Sequence, residues 1–173
     1  MHQQQVDFIK SVLKKYPEYK SNVKVLDVGS QDINGNNRQF FDAETTEYTG
    51  LDIAEGKNVD VVSKVHEYKT RKKYDVVISG EMLEHDKHYK ESIKAMTRLT
   101  KRLGILIITC ASEGREEHGT HGKHEWTSPH TLDHYHNISI EEFKDIIDLD
   151  KFLVYDLQYN QYTCDLYFYG IKK

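Results

Sequence analysis

The feature that most constrains this chain is a series of short apolar runs, rich in Val and Ile, that show little polar–apolar alternation. They read VKVLDV at 23–28, EYTGLDI at 47–53, VDVV at 59–62, YDVVIS at 74–79 and ILIIT at 105–109. A strand with one face in water alternates, whereas a strand covered on both faces does not, and such strands belong to parallel sheets. Helix-like stretches separate the runs. Val6, Ile9, Leu13 and Tyr16 recur at helical spacing ahead of Pro17. Tyr89, Ile93, Met96 and Leu103 form one stripe over 87–102, and Gly104, after a basic last turn, suits a helix stop. Alternating strands and helices predict an α/β fold with a doubly wound open sheet. The last two runs, 152–159 and 165–172, are joined by NQYTC, too short for a parallel crossover, so they should pair antiparallel. With 173 residues, no internal repeat and only 2 Pro, the chain reads as a single domain over 1–173.

One segment breaks the rhythm. Residues 111–138 carry no sustained periodicity, yet six of the ten histidines fall between 118 and 136. A connection of that length is either functional or disordered. Beyond it, Ser139 and Glu142 form a capping-box pattern ahead of Phe143, Ile146 and Ile147.

Composition narrows the function. A net charge of −4 lacks the basic excess of a nucleic-acid binder, and KTRKK at 69–73 reads as a solvated turn. No run approaches the roughly 18 apolar residues of a membrane span, and MHQQQVDFIKSVLKK has no apolar signal core. Cys110 and Cys164 read as free thiols of a reducing compartment, with a single bridge left open. The expectation is a cytoplasmic protein with neither nucleic acid nor membrane as partner.

The stretch VKVLDVGSQDING at 23–35 carries the first chemistry: an apolar strand ends in Asp27, and Gly29 opens a polar turn. Glycine lets backbone approach a ligand, and a following helix would offer free amides. Ser30, Gln31 and Asp32 stand where a dinucleotide turn wants more glycine, so a purely structural bend stays open. Asp52 ends the second run about twenty residues past Gly29, the spacing at which a carboxylate accepts ribose hydroxyls and disfavours a 2′-phosphate.

Over 23–109 these residues resemble the cofactor-binding half of class I S-adenosylmethionine-dependent methyltransferases. LDVGSQDINGNNRQF, EYTGLDIAEGKNVDVV and YDVVISGEMLEH, in that order, resemble a small bacterial and phage-type group among them. The resemblance implies a Rossmann-like, mostly parallel seven-stranded sheet with an antiparallel last strand, and S-adenosyl-L-methionine as cofactor. It implies that Asp27, Gly29 and Ser30, with Gln31 and Asn34 in the same turn, hold the methionine part. Asp52 and Ile53 would take the ribose, Val65 and His66 would flank the adenine, and Glu81 and Met82 would sit beside the cofactor. Glu84 and His85 match the group's E-H signature, with His85 either chemical or organising the loop. EHGT and SPHTLDHYHNIS resemble a recurring loop of the group with a D-Y-Y-R-N-L-T pattern, in which His134 replaces the first Tyr and His136 the Arg.

The histidine cluster admits a metal site, a solvated loop or a substrate lid. His118, His121 and His124 are spaced by three, but Gly119 and Gly122 spoil a helical ligand face and no cysteine completes a zinc spacing. The expectation is therefore no metal and a lid, with His118, Tyr135 and Asp133 facing the acceptor; His118, His85 and Tyr135 are the catalytic candidates. A sulfonium methyl is already activated, so positioning supplies much of the catalysis, while a hydroxyl acceptor needs a base such as His. The N/D-P-P-Y/F/W stretch of base-amino methyltransferases is replaced by SGEM, and neither proline precedes a cysteine. The sequence thus reads as a methyltransferase acting on a small-molecule or sugar-like (glycan) acceptor, at oxygen. A non-catalytic S-adenosylmethionine-binding protein is the alternative, and an NAD-dependent oxidoreductase is disfavoured by the missing glycines. A second copy of the chain, in a homodimer, is the candidate partner for closing the site.

Overall fold

The apolar runs become strands. In a computed structural model that describes residues 2–173, they form β1 (Lys24–Val28), β2 (Glu47–Asp52), β3 (Val61–Val62), β4 (Tyr74–Gly80) and β5 (Thr100–Ala111). The last two runs form β6 (Phe152–Asn160) and β7 (Asp165–Lys172). One seven-stranded sheet results, in the order β3-β2-β1-β4-β5-β7-β6. β1 to β5 pair in parallel, and β7 runs antiparallel between β5 and β6, as the short NQYTC connection requires.

Strand pleating assigns the core. Val25, Val76, Ile78, Ile105 and Ile107 face α1 (Gln3–Lys15), which contributes Phe8, Ile9, Val12 and Leu13. Leu26, Val28, Val77, Leu106 and Ile108 face the other way, against α2 (Tyr89–Leu99) and α3 (Ile140–Ile146). Each aliphatic side chain so buried contributes about 1.5–3 kcal/mol, which is why the central strands are apolar on both faces. No helix among the described residues is long and apolar enough to cross a membrane, and both cysteines are free.

Several expectations change. No α-helix follows β1: the turn runs through bends to a short 3-10 turn, Asn37–Phe40. Asp32 explains this, because its carboxylate accepts from Gly35 N (3.0 Å) and Asn36 Nδ2 (3.0 Å) and pairs with Lys57 (2.8 Å). Such local bonds give the backbone an alternative to a helical ladder. The run VDVV shrinks to two strand residues because the Asp60 carboxylate is committed to Gly50 N at 2.7 Å and Arg38 at 3.1 Å. The helix over 87–102 ends at Leu99, and Gly104 is a strand residue, not a helix stop. A Cβ there would meet the Asp75 carbonyl oxygen at 2.9 Å, so glycine permits the close approach of β4 and β5. The capping box is half made: Ser139 Oγ accepts from Glu142 N at 3.0 Å, but the Glu142 side chain turns to Tyr89 and His136.

Candidate functional site

Parallel strands deliver their carboxyl ends to one rim, where open α/β sheets bind ligands. There the chain encloses a cavity of about 510 Å³, walled on one side by the ends of β1 and β2 and on the other by 80–88 and the 111–138 loop.

The first wall is built around glycine and two aspartates. Gly29 has φ +77°, and a Cβ there would lie 2.5 Å from Met82 Cγ, so both backbone and packing demand glycine. Gly29 N and Ser30 N donate to Leu51 O (2.9 and 3.2 Å), tying the turn to β2. Asp27 is 1% exposed and accepts from Asn37 Nδ2 (2.8 Å) and Tyr48 OH (2.5 Å). Burial pushes its carboxyl up to about 6 although both bonds pull it down. The Ser30 hydroxyl is buried with no hydrogen-bond partner among the described residues. Asp52 accepts from Gln31 N at 2.9 Å and Ile53 N at 2.7 Å. Two backbone amides thus fix a carboxylate that has about four lone-pair directions, leaving others for a ligand.

Gln31, Asn34, Ile53 and Val65 also line this wall. His66 does not: its Nδ1 lies 3.3 Å from Ser92 Oγ, and its ring packs on His88 at 4.7 Å, while Ser63 and Lys64 line the cavity beside Val65. Neither was singled out from the sequence, where both read as ordinary polar turn residues.

On the second wall, Glu81 adopts φ +53° and lines the cavity with Met82. The Glu81 carboxylate faces His2 Nε2 at 3.7 Å, and that nitrogen pairs with the fully buried Asp165 at 2.8 Å. Burial works against charge on His2, but its hydrogen bonds to Asp165 and Glu81 prevail and raise it to about 9. Nothing in the sequence placed residue 2 at the site; it arrives because it stands at the N-cap position of α1, with its Nδ1 3.4 Å from Gln5 N.

Three expected residues meet as rings. His85, His118 and Tyr135 lie 5.1–5.5 Å apart in edge contacts. His85 is held down to about 4 by burial and by His118, and is therefore neutral at physiological pH. Its Nδ1 is buried without a full hydrogen bond among the described residues, as are both carboxylate oxygens of Glu84. His118 Nδ1 lies 3.0 Å from Glu116 O; a carbonyl only accepts, so Nδ1 carries the proton and Nε2 holds the lone pair. Tyr135 is bonded to Glu116 O at 3.2 Å and stands behind the two imidazoles, outside the cavity lining. Burial raises its phenol. Asp133 lines the cavity but is paired with Lys87 at 2.5 Å, and His136 turns away to Glu142 at 2.9 Å.

Backbone bonds run throughout the 111–138 loop: His121 N donates to Leu132 O at 3.1 Å, His136 N to Glu84 O at 2.8 Å and Ile138 N to Ala111 O at 3.1 Å, and a 3-10 turn forms at Glu125–Thr127.

Comparison with known proteins bears on this geometry. A family profile described as a methyltransferase domain matches residues 1–149. No curated protein matches the chain in sequence. Among solved structures, the chain is similar to magnesium protoporphyrin IX methyltransferase from Synechocystis, crystallised with S-adenosylmethionine (15% identity, TM-score 0.67, 99% of this chain and 80% of that one). It is similar to the N-methyltransferase NodS from Bradyrhizobium japonicum, in complex with S-adenosyl-L-homocysteine (11% identity, TM-score 0.63, 98% and 85%). It is also similar to 1,6-didemethyltoxoflavin-N1-methyltransferase from Burkholderia thailandensis (15% identity, TM-score 0.63, 95% and 76%). At such identities the likeness is one of fold, and it is the family match over residues 1–149 that decides: this chain belongs to the methyltransferase-domain family.

Proposed function

We propose that the chain binds S-adenosylmethionine along the β1–β2 wall and methylates a hydroxyl of a small-molecule or sugar-like acceptor held under the 111–138 loop. The observation that carries this reading is that one cavity joins the Asp27–Asp52 wall to a pair of imidazoles, His85 and His118. The residues present fit such a cofactor. A Cβ at Gly29 would strike Met82, which lines the cavity beside it, the Ser30 hydroxyl lacks a partner among the described residues, and Asp52 keeps lone pairs for a diol. A volume of about 510 Å³ suits a ligand of that size.

The cofactor supplies a methyl group activated on a sulfonium, and the chain supplies everything else. Asp52 orients the ribose, while Ile53 and Val65 offer the apolar surface on which an adenine packs. Asp27, fixed by Asn37 and Tyr48, gives the methionine end a defined polar anchor. His118, whose Nδ1–H is committed to Glu116 O, presents Nε2 as the lone pair able to receive the acceptor's proton. Oxygen is favoured over nitrogen by this face: a neutral amine attacks unaided, whereas a hydroxyl needs somewhere for its proton to go.

Calorimetric titration with S-adenosylhomocysteine tests the cofactor assignment. One equivalent should bind with a Kd of about 1–100 μM, and no binding at millimolar ligand overturns the reading. Transfer of a labelled methyl should then favour hydroxyl acceptors over their amine analogues by about tenfold or more; the reverse preference overturns the oxygen assignment.

A further inference from the structure

We propose that Glu84, His85 and His118 bind one divalent transition-metal ion, of the zinc class, at the acceptor end of the cavity. Each offers one ligand atom, and the three atoms lie within 4.8 Å of one another. These are not the histidines that sequence spacing groups together: His121 and His124 are exposed, and only His118 of that run joins the cluster. The other two ligands come from the 3-10 turn Leu83–His85 that follows β4.

Three independent observations point to a cation. Glu84 is 0% exposed, and neither carboxylate oxygen makes a full hydrogen bond among the described residues, although the backbone amides of Glu84 and Ala111 partly offset its burial. A carboxylate so placed, away from water, calls for a cation to offset its charge. His85, 7% exposed, likewise has an Nδ1 without a full hydrogen bond, its ring meeting the backbone of His134 only weakly. Third, the His118 ring is oriented as a metal ligand's is, with one N–H given to a backbone carbonyl, Glu116 O at 3.0 Å, and the other nitrogen left bare.

The surroundings hold these groups in place. Tyr135 packs edge-on against both imidazoles. Gly119, at φ +65°, lays loop backbone against the His85 ring, and a Cβ there would come 2.8 Å from His85 Cε1. A second cluster, His2, Glu81 and Asp165, has ligand atoms equally close, but its charges are already matched by the 2.8 Å His2–Asp165 pair and by Arg115 at 3.4 Å.

Two imidazoles and one carboxylate suit zinc, cobalt, iron or manganese, whereas magnesium and calcium favour all-oxygen sets. Three protein ligands leave positions open, and both histidines line the cavity, so the open side faces the acceptor. This role rests on the methyltransferase reading. With the ion bound, His118 Nε2 is a ligand and no longer the proton acceptor assigned to it above: an acceptor hydroxyl bound there would lose its proton to water through the ion's Lewis acidity.

The test uses the full-length protein, stripped with EDTA and titrated with zinc chloride by calorimetry and with cobalt chloride by visible absorption. One equivalent of zinc should bind with a Kd below about 1 μM, and cobalt should show the d–d bands of a low-coordinate nitrogen–oxygen site. His118→Ala and Glu84→Gln should each weaken zinc about 100-fold or more, whereas a His121→Ala/His124→Ala double variant should not. His118 lies half-buried on the loop, so its variant stays informative should Glu84→Gln fail to fold. Every variant is titrated with S-adenosylhomocysteine as a check on the fold. The inference is overturned if protein that binds S-adenosylhomocysteine takes up no zinc, if His118→Ala binds zinc like the wild type, or if the ion is lost with His121 and His124 instead. Zinc binding without S-adenosylhomocysteine binding would leave the ion site standing and remove the methyltransferase reading.

Discussion

The two walls of the cavity are built by different means. The β1–β2 wall is sheet backbone continued into a short turn, and most of its groups are fixed by main-chain partners, Gly29 and Ser30 on Leu51 O and Asp52 on Gln31 N and Ile53 N, with Asp27 alone held by side chains, those of Asn37 and Tyr48. The opposite wall is assembled from side chains of distant segments, with His2, Glu81, His85 and His118 among them. Strand register dictates the first wall, so any chain with this sheet and turn can make it. The second wall depends on where a long loop settles, and so it carries what is particular to this protein.

The comparison breaks most sharply at Asp52. Asp52→Ala should weaken S-adenosylhomocysteine about 100-fold or more, since charge-assisted hydrogen bonds contribute about 1.5–3 kcal/mol each, while the fold persists. Binding within threefold of the wild type would mean the backbone wall is not the cofactor wall. Next comes Asp27, whose carboxyl is raised from 3.8 to about 6. A raised carboxyl stabilises the fold fully below the unfolded value, and that contribution is lost as pH rises through the folded one. Asp27→Asn does not ionise, so it should be more stable than the wild type by about 3 kcal/mol at pH 8, and the difference should vanish by about pH 3. Urea denaturation across that range checks it; a gap independent of pH would show that Asp27 is not charged at the expense of folding. Gly29→Ala follows, at about 1–3 kcal/mol in the same assay, because φ +77° and the 2.5 Å approach to Met82 both oppose a side chain.

The same division explains what was legible beforehand. Apolar runs without alternation gave the parallel strands, and five intervening residues gave the antiparallel β6–β7 pair, because these follow from burial and chain reach. That Gly29, Asp27 and Asp52 share one cavity wall was readable because a turn at a strand end has few solutions. The missing helix after β1 was not, since it depends on Asp32 finding Lys57, which lies beyond β2. His66 lies off the cavity lining for a related reason: its ring is drawn to Ser92 and His88 on or beside α2, a contact no local pattern encodes. The convergence of Glu84 and His85 with His118, and the arrival of His2 beside Asp165, are long-range events of the same kind.

His2 offers the smallest effect and the finest test of the side-chain wall. It joins α1 to the end of β4 through Glu81 and to the start of β7 through Asp165, with Arg115 sharing the latter's charge. Its imidazole is raised from 6.5 to about 9, so the stability it adds is fully present below pH 6.5 and is lost as pH rises through about 9. His2→Gln keeps a hydrogen-bonding group but removes the charge. It should cost about 1 kcal/mol at pH 6 and nearly nothing at pH 10, read as a Tm difference that closes with rising pH. A difference that persists at pH 10 would mean that shape, not charge, holds α1 to the rim, and the side-chain wall would then resemble the backbone wall more closely than the ion pairs suggest.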